Sequence, residues 1–450
     1  PKTPRGVCGA DADAIVTRNL LRAVAAGSGC YIHIMENTAR NLLAIAESGG
    51  RIRGEATLAR VAGMFGVSGT DSHDTAAKIA RAVLEDLYRP RFDVMRLTEK
   101  IAYAPRFAKW RELGILPGGA KSEVFDGVVK SSTNLNSDPV DMLLHCLTLG
   151  ISTGLYGLTL VNLLNDIMLG EPKLRPAAVG FKTIDPRYIN IMITGHQHSC
   201  FTHLQEYLVG PEAASAARAV GAEGFRLVGC TCVGQDLQLR GEHYREVFTG
   251  HAGNNFTSEA VLATGAVGMV VSEFNCTLPG LTPIAEKLLV RMYCIDDVAK
   301  KPNAEYRRYN YAEREDLSRD IVRSAADAFR ERRGKVRIDI PADHGNDDTL
   351  TGVSEVSLKE FLGGTWQPLI DLIANGTIKG VVGVVGCPSM VSGGHDVLTV
   401  DLVRELIARD IIVLSAGCSS GGLENVGLMR AAAASEAGPG LRAVCEKLGI

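Results

Sequence analysis

Five short apolar runs in this chain have the length of β-strands, and each is followed within a few residues by a histidine or a cysteine. Helix-like segments separate the runs, and this alternation is typical of βα units with a parallel sheet. The carboxyl ends of parallel strands lie at a common edge, so residues far apart in the sequence converge there. We therefore expect a shared metal site at that edge. The runs are Tyr188 to Thr194, Phe225 to Val228, Gly268 to Val271, Gly380 to Val385 and Ile411 to Leu414.

The residues that follow these runs are ligands that soft metals prefer. A structural zinc site usually draws on CxxC pairs, and the sequence contains none, so single ligands spread over separate strands favour an iron–sulfur cluster. At one strand alone, a core cysteine or an ordinary histidine would explain the pattern better. The recurrence over five strands is what favours a site. The candidates are His196, Cys230 or Cys232, Cys276, Cys387 and Cys418.

The residues before the first run have a helical pattern. Apolar residues recur at three- and four-residue spacing in Ala14 to Ala26, Thr38 to Ala46 and Ala76 to Leu87, as on the buried face of a helix. Gly27 is expected to end the first helix and Asp74 to cap the third.

The predicted fold is multidomain, with α followed by α/β organisation. A helical domain covers residues 1–172, and a Rossmann-like parallel-sheet domain covers residues 173–335. A second Rossmann-like α/β domain, incomplete, covers residues 336–450. A charged helix, Glu313 to Lys335, precedes the second boundary, and Pro341 to Asp348 is expected to be a linker.

Composition narrows the classes of protein. The apolar content of 46% suffices for buried cores, and a net charge of −3 without blocks of one sign predicts no binding to nucleic acid. Eleven cysteines, an odd number, are typical of a reducing compartment, so we expect a cytoplasmic protein. Cys146 to Leu164 is uncharged over about the length of a membrane span. Its polar residues and glycines favour a glycine-notched helix packed in a core instead, so no membrane span is predicted.

Motifs at the strand ends, together with one near the start of the chain, are specific as an ordered set. They are Arg5-Gly6-Val7-Cys8-Gly9-Ala10, Gly195-His196, Gly229-Cys230-Thr231-Cys232, Asn275-Cys276, Gly386-Cys387 and Gly417-Cys418-Ser419-Ser420-Gly421-Gly422. In these motifs the chain resembles the catalytic subunit of anaerobic nickel-iron carbon monoxide dehydrogenases, particularly the type associated with acetyl-CoA synthase. The resemblance covers almost the whole chain.

The resemblance implies a Ni-4Fe-4S cluster and a division of its ligands. His196 and Cys232 would bind an iron outside the cubane, and Cys276, Cys387 and Cys418 would bind the cubane irons. The cysteine that binds nickel and the catalytic lysine are expected beyond Ile450, so the chain is expected to be cut from a longer polypeptide and inactive alone.

Further residues take roles from the same resemblance. Cys8 matches a ligand of a second, electron-relaying 4Fe-4S cluster. His33 is a candidate for proton handling, with a partly buried helix histidine as the alternative. Cys230 remains an alternative to Cys232, and His198 is the histidine best suited to support a ligand.

The activity implied is the reversible oxidation of carbon monoxide with water to carbon dioxide, two protons and two electrons. Its implied partners are a ferredoxin-like electron carrier, a second copy in a homodimer and an acetyl-CoA synthase subunit. A hydroxylamine reductase of the hybrid-cluster type is one alternative. A non-catalytic iron–sulfur electron-transfer subunit is the other.

Overall fold

The computed structural model describes residues 4–132, 136–196, 198–240, 246–273, 276–388 and 390–448. The chain forms two compact units, Pro1–Glu171 and Pro172–Ile450. A helical region followed by largely parallel sheet confirms the predicted fold class. The predicted division of the second unit near residue 336 stays a prediction.

The first unit consists of helices packed around a long N-terminal one. A π-helical turn, Thr153–Leu160, continues the seventh helix directly into the eighth. The helices are α1 (Ala12–Glu47), α2 (Glu55–Phe65), α3 (Ser72–Leu87), α4 (Thr98–Ile101), α5 (Ala104–Glu112), α6 (Ala120–Ser132), α7 (Pro139–Ser152) and α8 (Val161–Leu169).

Helix α1 runs through Gly27, so the expected break there is wrong. Asp11 caps its start by accepting a hydrogen bond from the Ala14 N–H at 2.9 Å. A glycine inside a helix costs about 1 kcal/mol relative to alanine. The buried side of α1, including Leu21 and Leu42, packs against α3, α6 and α7, and this burial outweighs the glycine cost.

The predicted third helix exists, but Asp71 caps it rather than Asp74. The Asp71 carboxylate accepts a hydrogen bond from the Asp74 N–H at 2.8 Å, which places Asp74 in the first turn. Either aspartate satisfies the local preference for a cap. The helix therefore begins one turn earlier than expected.

The apolar stretch Pro139–Leu169 is long and apolar enough to cross a membrane, as core helices also are, and half of its most apolar part is buried. Its π-helical turn carries Gly157. A Cβ at Gly157 would lie 2.7 Å from the Tyr31 Cβ of α1, so the glycine permits this close approach. This packing agrees with the expected glycine-notched helix.

The second unit is built from βα units. Its strands are β1 (Arg175–Val179), β2 (Ile189–Thr194), β3 (Phe225–Cys230), β4 (Gly250–Gly253), β5 (Val267–Ser272), β6 (Arg291–Cys294), β7 (Glu305–Tyr306), β8 (Asn346–Thr351), β9 (Gly380–Val385) and β10 (Ile411–Ala416). Its helices are α9 (His198–Leu208), α10 (Pro211–Ala219), α11 (Thr231–Arg240), α12 (Ser258–Ala263), α13 (Leu281–Lys287), α14 (Arg314–Arg332), α15 (Glu355–Phe361), α16 (Gln367–Ala374), α17 (Val397–Ala408), α18 (Cys418–Asn425) and α19 (Pro439–Leu448).

Within the described residues, one sheet has the strand order β7-β6-β5-β2-β3-β4-β1-β8 and a second pairs β10 with β9. All neighbours are parallel except β1 and β8. Each of the five apolar runs is a strand, as predicted. The expected linker is partly wrong, because residues from Asn346 onward form β8, whose antiparallel pairing with β1 depends on a distant partner.

Helices cover both faces of the larger sheet. Ile191 and Leu227 pack with α9, α10 and α14 on one face, and Met192 and Val270 pack with α12 and α13 on the other. Strands β2 and β5 are buried along their whole length. The strands that precede His196 and Cys276 are therefore buried from end to end.

A buried hydrogen bond in the first unit gives a stability prediction. The Tyr156 hydroxyl donates to the Asp86 carboxylate at 2.6 Å, and both residues are fully buried. Tyr156→Phe leaves that carboxylate one donor short, so we expect the free energy of unfolding to fall by about 1.5–3 kcal/mol. Urea unfolding measures the change. Tyr103→Phe is the control, since Tyr103 is 72% exposed, and an equal effect in both variants would contradict the prediction.

Candidate metal centre

The site lies at the carboxyl edge of three neighbouring strands. Strand β2 lies between β3 and β5, with Ile193 level with Gly229 and Thr194 level with Ser272. The three strands therefore end side by side. A predicted ligand follows each strand within four residues: His196 follows β2, Cys232 follows β3 and Cys276 follows β5.

Three predicted ligands converge at this edge. The donor atoms of His196, Cys232 and Cys276 all lie within 4.8 Å of one another, and the three residues are half-buried. A hydrogen bond with Cys276, and then burial, raise the pKa of the Cys232 thiol well above its ordinary value. Phe274 and Asn275, which precede Cys276 in its motif, lie outside the described residues.

Cys387 and Cys418 follow β9 and β10. The two strand ends are joined, because the Ser419 N–H and hydroxyl both donate to the Gly386 carbonyl at 3.0 Å. Burial, and then the Cys232 thiol, raise the pKa of Cys387, and the same two causes raise that of Cys418 to about 12. Among the described residues, the group of donor atoms within 4.8 Å of one another holds His196, Cys232 and Cys276 and does not include either of these thiols.

This donor set suits a cationic metal group. Thiols bind metals as thiolates, and this charged form is disfavoured at Cys232 chiefly by a hydrogen bond with Cys276 and at Cys387 and Cys418 chiefly by burial, with repulsion from neighbouring thiolates as a smaller cause at each. Metal ions among them would offset that repulsion. Four sulfur donors and one imidazole match the preference of iron–sulfur clusters.

The backbone is strained at Cys276 and at the residue before Cys232. Cys276 has φ +59° and Thr231, just before Cys232, also has φ +59°. Side-chain-bearing residues seldom adopt this conformation, and each such residue costs about 1–3 kcal/mol. The Gly195 N–H donates to the Thr231 hydroxyl at 2.9 Å, which helps hold the strained turn.

Glycines before the ligands serve two different purposes. Gly195, Gly386 and Gly417 have φ of +106°, +108° and +72°, which permits the tight turns expected from the sequence. Gly229 instead lies within β3, where a Cβ would come within 2.7 Å of the Phe248 ring. Its smallness serves packing rather than a turn.

Cys230 is placed differently from Cys232. It ends β3, is completely buried and belongs to a hydrophobic cluster with Met192 and Val228. Burial, and then the Cys418 thiol, raise its pKa. The choice between the two cysteines as ligand stays a prediction.

The Gly421-Gly422 pair lies inside α18. The Gly421 N–H donates to the Gly417 carbonyl, as in an ordinary helical turn. A Cβ at Gly422 would come within 2.6 Å of Asp396. Close packing thus accounts for these glycines.

Cys8 and His33 belong to the first unit. Cys8 is exposed in a turn before α1, and a hydrogen bond from the Ala10 backbone lowers its pKa. His33 is half-buried on α1, with its Nε2 3.1 Å from the Asn37 amide nitrogen. Their proposed roles stay predictions.

Two acids, Glu273 after β5 and the half-buried Asp236 on α11, pair with residues at or near His196, and the sequence reasoning missed both. Glu273 follows β5, is 2% exposed and accepts a hydrogen bond from the His196 N–H. Burial works against ionisation of Asp236, but His198 and Arg240 beside it lower its pKa. Glu273 is the one charged residue between Val267 and Cys276, a signal that could have revealed it.

Comparisons with known proteins identify the family of this chain. The Prismane/CO dehydrogenase family model matches residues 2–446. Relatives named carbon monoxide dehydrogenase from Methanocaldococcus jannaschii and Methanopyrus kandleri are each 45% identical over 100% of this chain, which covers 72% and 70% of their lengths.

A solved structure is also similar. It is a Ni-free carbon monoxide dehydrogenase from Thermococcus sp. AM4, produced without the CooC maturase, and it matches with a TM-score of 0.91 and 30% identity over 100% of this chain and 70% of that chain. The resemblance inferred from the strand-end motifs is thereby confirmed. This chain belongs to the Prismane/CO dehydrogenase family.

Proposed function

We propose that this protein catalyses the reversible oxidation of carbon monoxide with water to carbon dioxide, two protons and two electrons. The observation that carries the proposal is the convergence of His196, Cys232 and Cys276 within 4.8 Å at one sheet edge. It occurs in a chain 45% identical to proteins named carbon monoxide dehydrogenase. Carbon monoxide and carbon dioxide are the substrates.

The residues of the second unit divide the work of holding the cluster. His196 and Cys232 would hold the outer iron, and Cys276, Cys387 and Cys418 the cubane irons. When bound, the nickel–iron–sulfur cluster supplies the Lewis acidity and the electron transfer that the oxidation needs.

The surrounding residues orient the ligands and limit water. The Glu273 carboxylate accepts a hydrogen bond from the His196 N–H and so holds the His196 backbone in place. Strands β2 and β5 are buried along their length and keep water away from the sheet side of the site. An imidazole ligand carries no charge of its own, so His196 leaves its metal more electrophilic than another thiolate would.

Several parts of the proposal concern other groups. Cys8 would contribute to a 4Fe-4S cluster that passes electrons on, and His33 would handle protons. A ferredoxin-type carrier, a homodimer, an acetyl-CoA synthase subunit and a cytoplasmic location complete the proposal.

One experiment tests the activity itself. We expect full-length protein, expressed anaerobically with nickel and iron, to reduce viologen in the presence of carbon monoxide but not to reduce hydroxylamine. His196→Ala should lower the rate by more than about 100-fold, because losing even an outer partner of a metal ligand costs 10–100-fold.

Circular dichroism should show that the His196→Ala variant keeps its fold. Hydroxylamine reduction by the parent protein would favour the hybrid-cluster alternative. Iron and sulfide without nickel, together with no turnover, would favour the electron-transfer alternative.

Another experiment separates the roles of two neighbouring cysteines, Cys230 and Cys232. Cys232→Ala is expected to weaken iron binding by more than about 100-fold, because it removes a donor atom from the converging group. Cys230→Ala should keep its iron and lower the free energy of unfolding by about 0.5–3 kcal/mol, the range for a buried side chain. Elemental analysis and urea unfolding measure these effects. Loss of iron in Cys230→Ala alone would exchange the two assignments.

A further inference from the structure

A buried histidine–glutamate pair joins two distant parts of the second unit. His251 Nδ1 lies 2.7 Å from Glu424 Oε2, and their side chains are only 1% and 3% exposed. Burying ionisable groups costs several kcal/mol unless they are paired. The pair therefore holds β4, which carries His251, firmly against α18, which carries Glu424.

The His251 ring is enclosed by two glycines on the helices that carry candidate ligands. A Cβ at Gly234 of α11 would lie 3.0 Å from the ring Cδ2, and a Cβ at Gly421 of α18 would lie 3.1 Å from Cε1. Gly234 is two residues after Cys232, and Gly421 is three residues after Cys418. The imidazole thus lies between the first turns of the two cysteine-bearing helices.

The remaining ring nitrogen, Nε2, lies between the two ring carbons that approach these turns. In imidazole, Nε2 lies between Cδ2 and Cε1, and these are the two carbons that face Gly234 and Gly421. His251 Nε2 is buried, and no residue in the described part of the chain forms a hydrogen bond with it. A buried nitrogen without a partner costs about 1–3 kcal/mol. A bound group between the helices would satisfy it.

The end of β4 is fastened to α18 by a second contact. The Asn254 amide donates to the Cys418 carbonyl at 3.4 Å and to Asp396 Oδ2 at 3.2 Å. Asn254 is fully buried. The position of His251 relative to Cys418 is therefore set at two points.

We propose that His251 is a positioning residue of the metal centre, whose Nε2–H donates a hydrogen bond to a sulfur of the cluster held by Cys232 and Cys418. The inference rests on the function proposed above. Each ring nitrogen of histidine can carry a hydrogen, so Nδ1 can serve the Glu424 carboxylate and Nε2 a cluster sulfur. Hydrogen bonds to cluster sulfurs raise the reduction potential. Glu424 would thus help to set the potential without touching the cluster.

Two variants of full-length, cluster-loaded protein separate the two nitrogens. His251→Asn places an amide near the position of Nδ1, which keeps a donor for Glu424 and removes the donor at Nε2. His251→Gln places an amide near Nε2 and gives up the Glu424 bond. His344→Asn is the matched control, because the His344 ring stacks on Phe181 at 4.2 Å.

The first measurement is the iron and nickel content per chain. The second is a redox titration followed by electron paramagnetic resonance, which gives the midpoint potential and the g values of the cluster. We expect His251→Asn to shift the potential to lower values and change the g values. His251→Gln and His344→Asn should stay near the parent. Loss of iron from His251→Asn with retention in His251→Gln would support the same inference.

Parent-like potentials in His251→Asn, the same shift in both His251 variants, or loss of iron from both would overturn the inference. The outcome is distinguishable from failure of the proposed function. A parent protein without nickel, iron and carbon monoxide oxidation contradicts the function. A fully loaded, active parent with an unshifted His251→Asn contradicts this inference alone.

Discussion

Strand β2 is hydrogen-bonded to β3 on one side and to β5 on the other, and the geometry of the metal centre depends on that alignment. Because the strands end level, the ligands that follow them in the sequence, His196, Cys232 and Cys276, come together. A slip of one residue in any strand would move its ligand by about 3.3 Å. That is more than the length of a metal–sulfur bond, about 2.3 Å for zinc. A change in the sheet register would therefore move a ligand out of bonding distance.

The site contains arrangements that are unfavourable without a metal. Thr231 and Cys276 occupy strained backbone conformations, at about 1–3 kcal/mol each. Cys387 and Cys418 have pKa values raised in part by the Cys232 thiol. Metal binding to a structural thiolate site is worth about 10–16 kcal/mol in small zinc domains, which exceeds these costs. The buried sheet keeps the arrangement in place, and the bound metal would make it favourable.

Glycines near the site serve two different purposes: some permit a positive φ, and others leave space for a neighbouring side chain. Gly195 permits a positive φ after a strand, and this need can be inferred from the position of a glycine between an apolar run and a ligand. Gly234 and Gly421 make room for the ring of His251, which comes from a different strand. Nothing in their local sequence indicates that demand, because the atom that a side chain would strike belongs to a distant segment.

The sequence by itself determined the five strands and the residues that end them, because strand patterns and turn glycines are local and recur within a few residues. It also carried the family resemblance through its ordered motifs. Only the tertiary structure decided that α1 continues through Gly27, that Asp71 caps α3 and that residues from Asn346 form β8, since packing and pairing partners outweigh local preference. The His251–Glu424 pair spans 173 residues, and its meeting depends on the folded positions of β4 and α18.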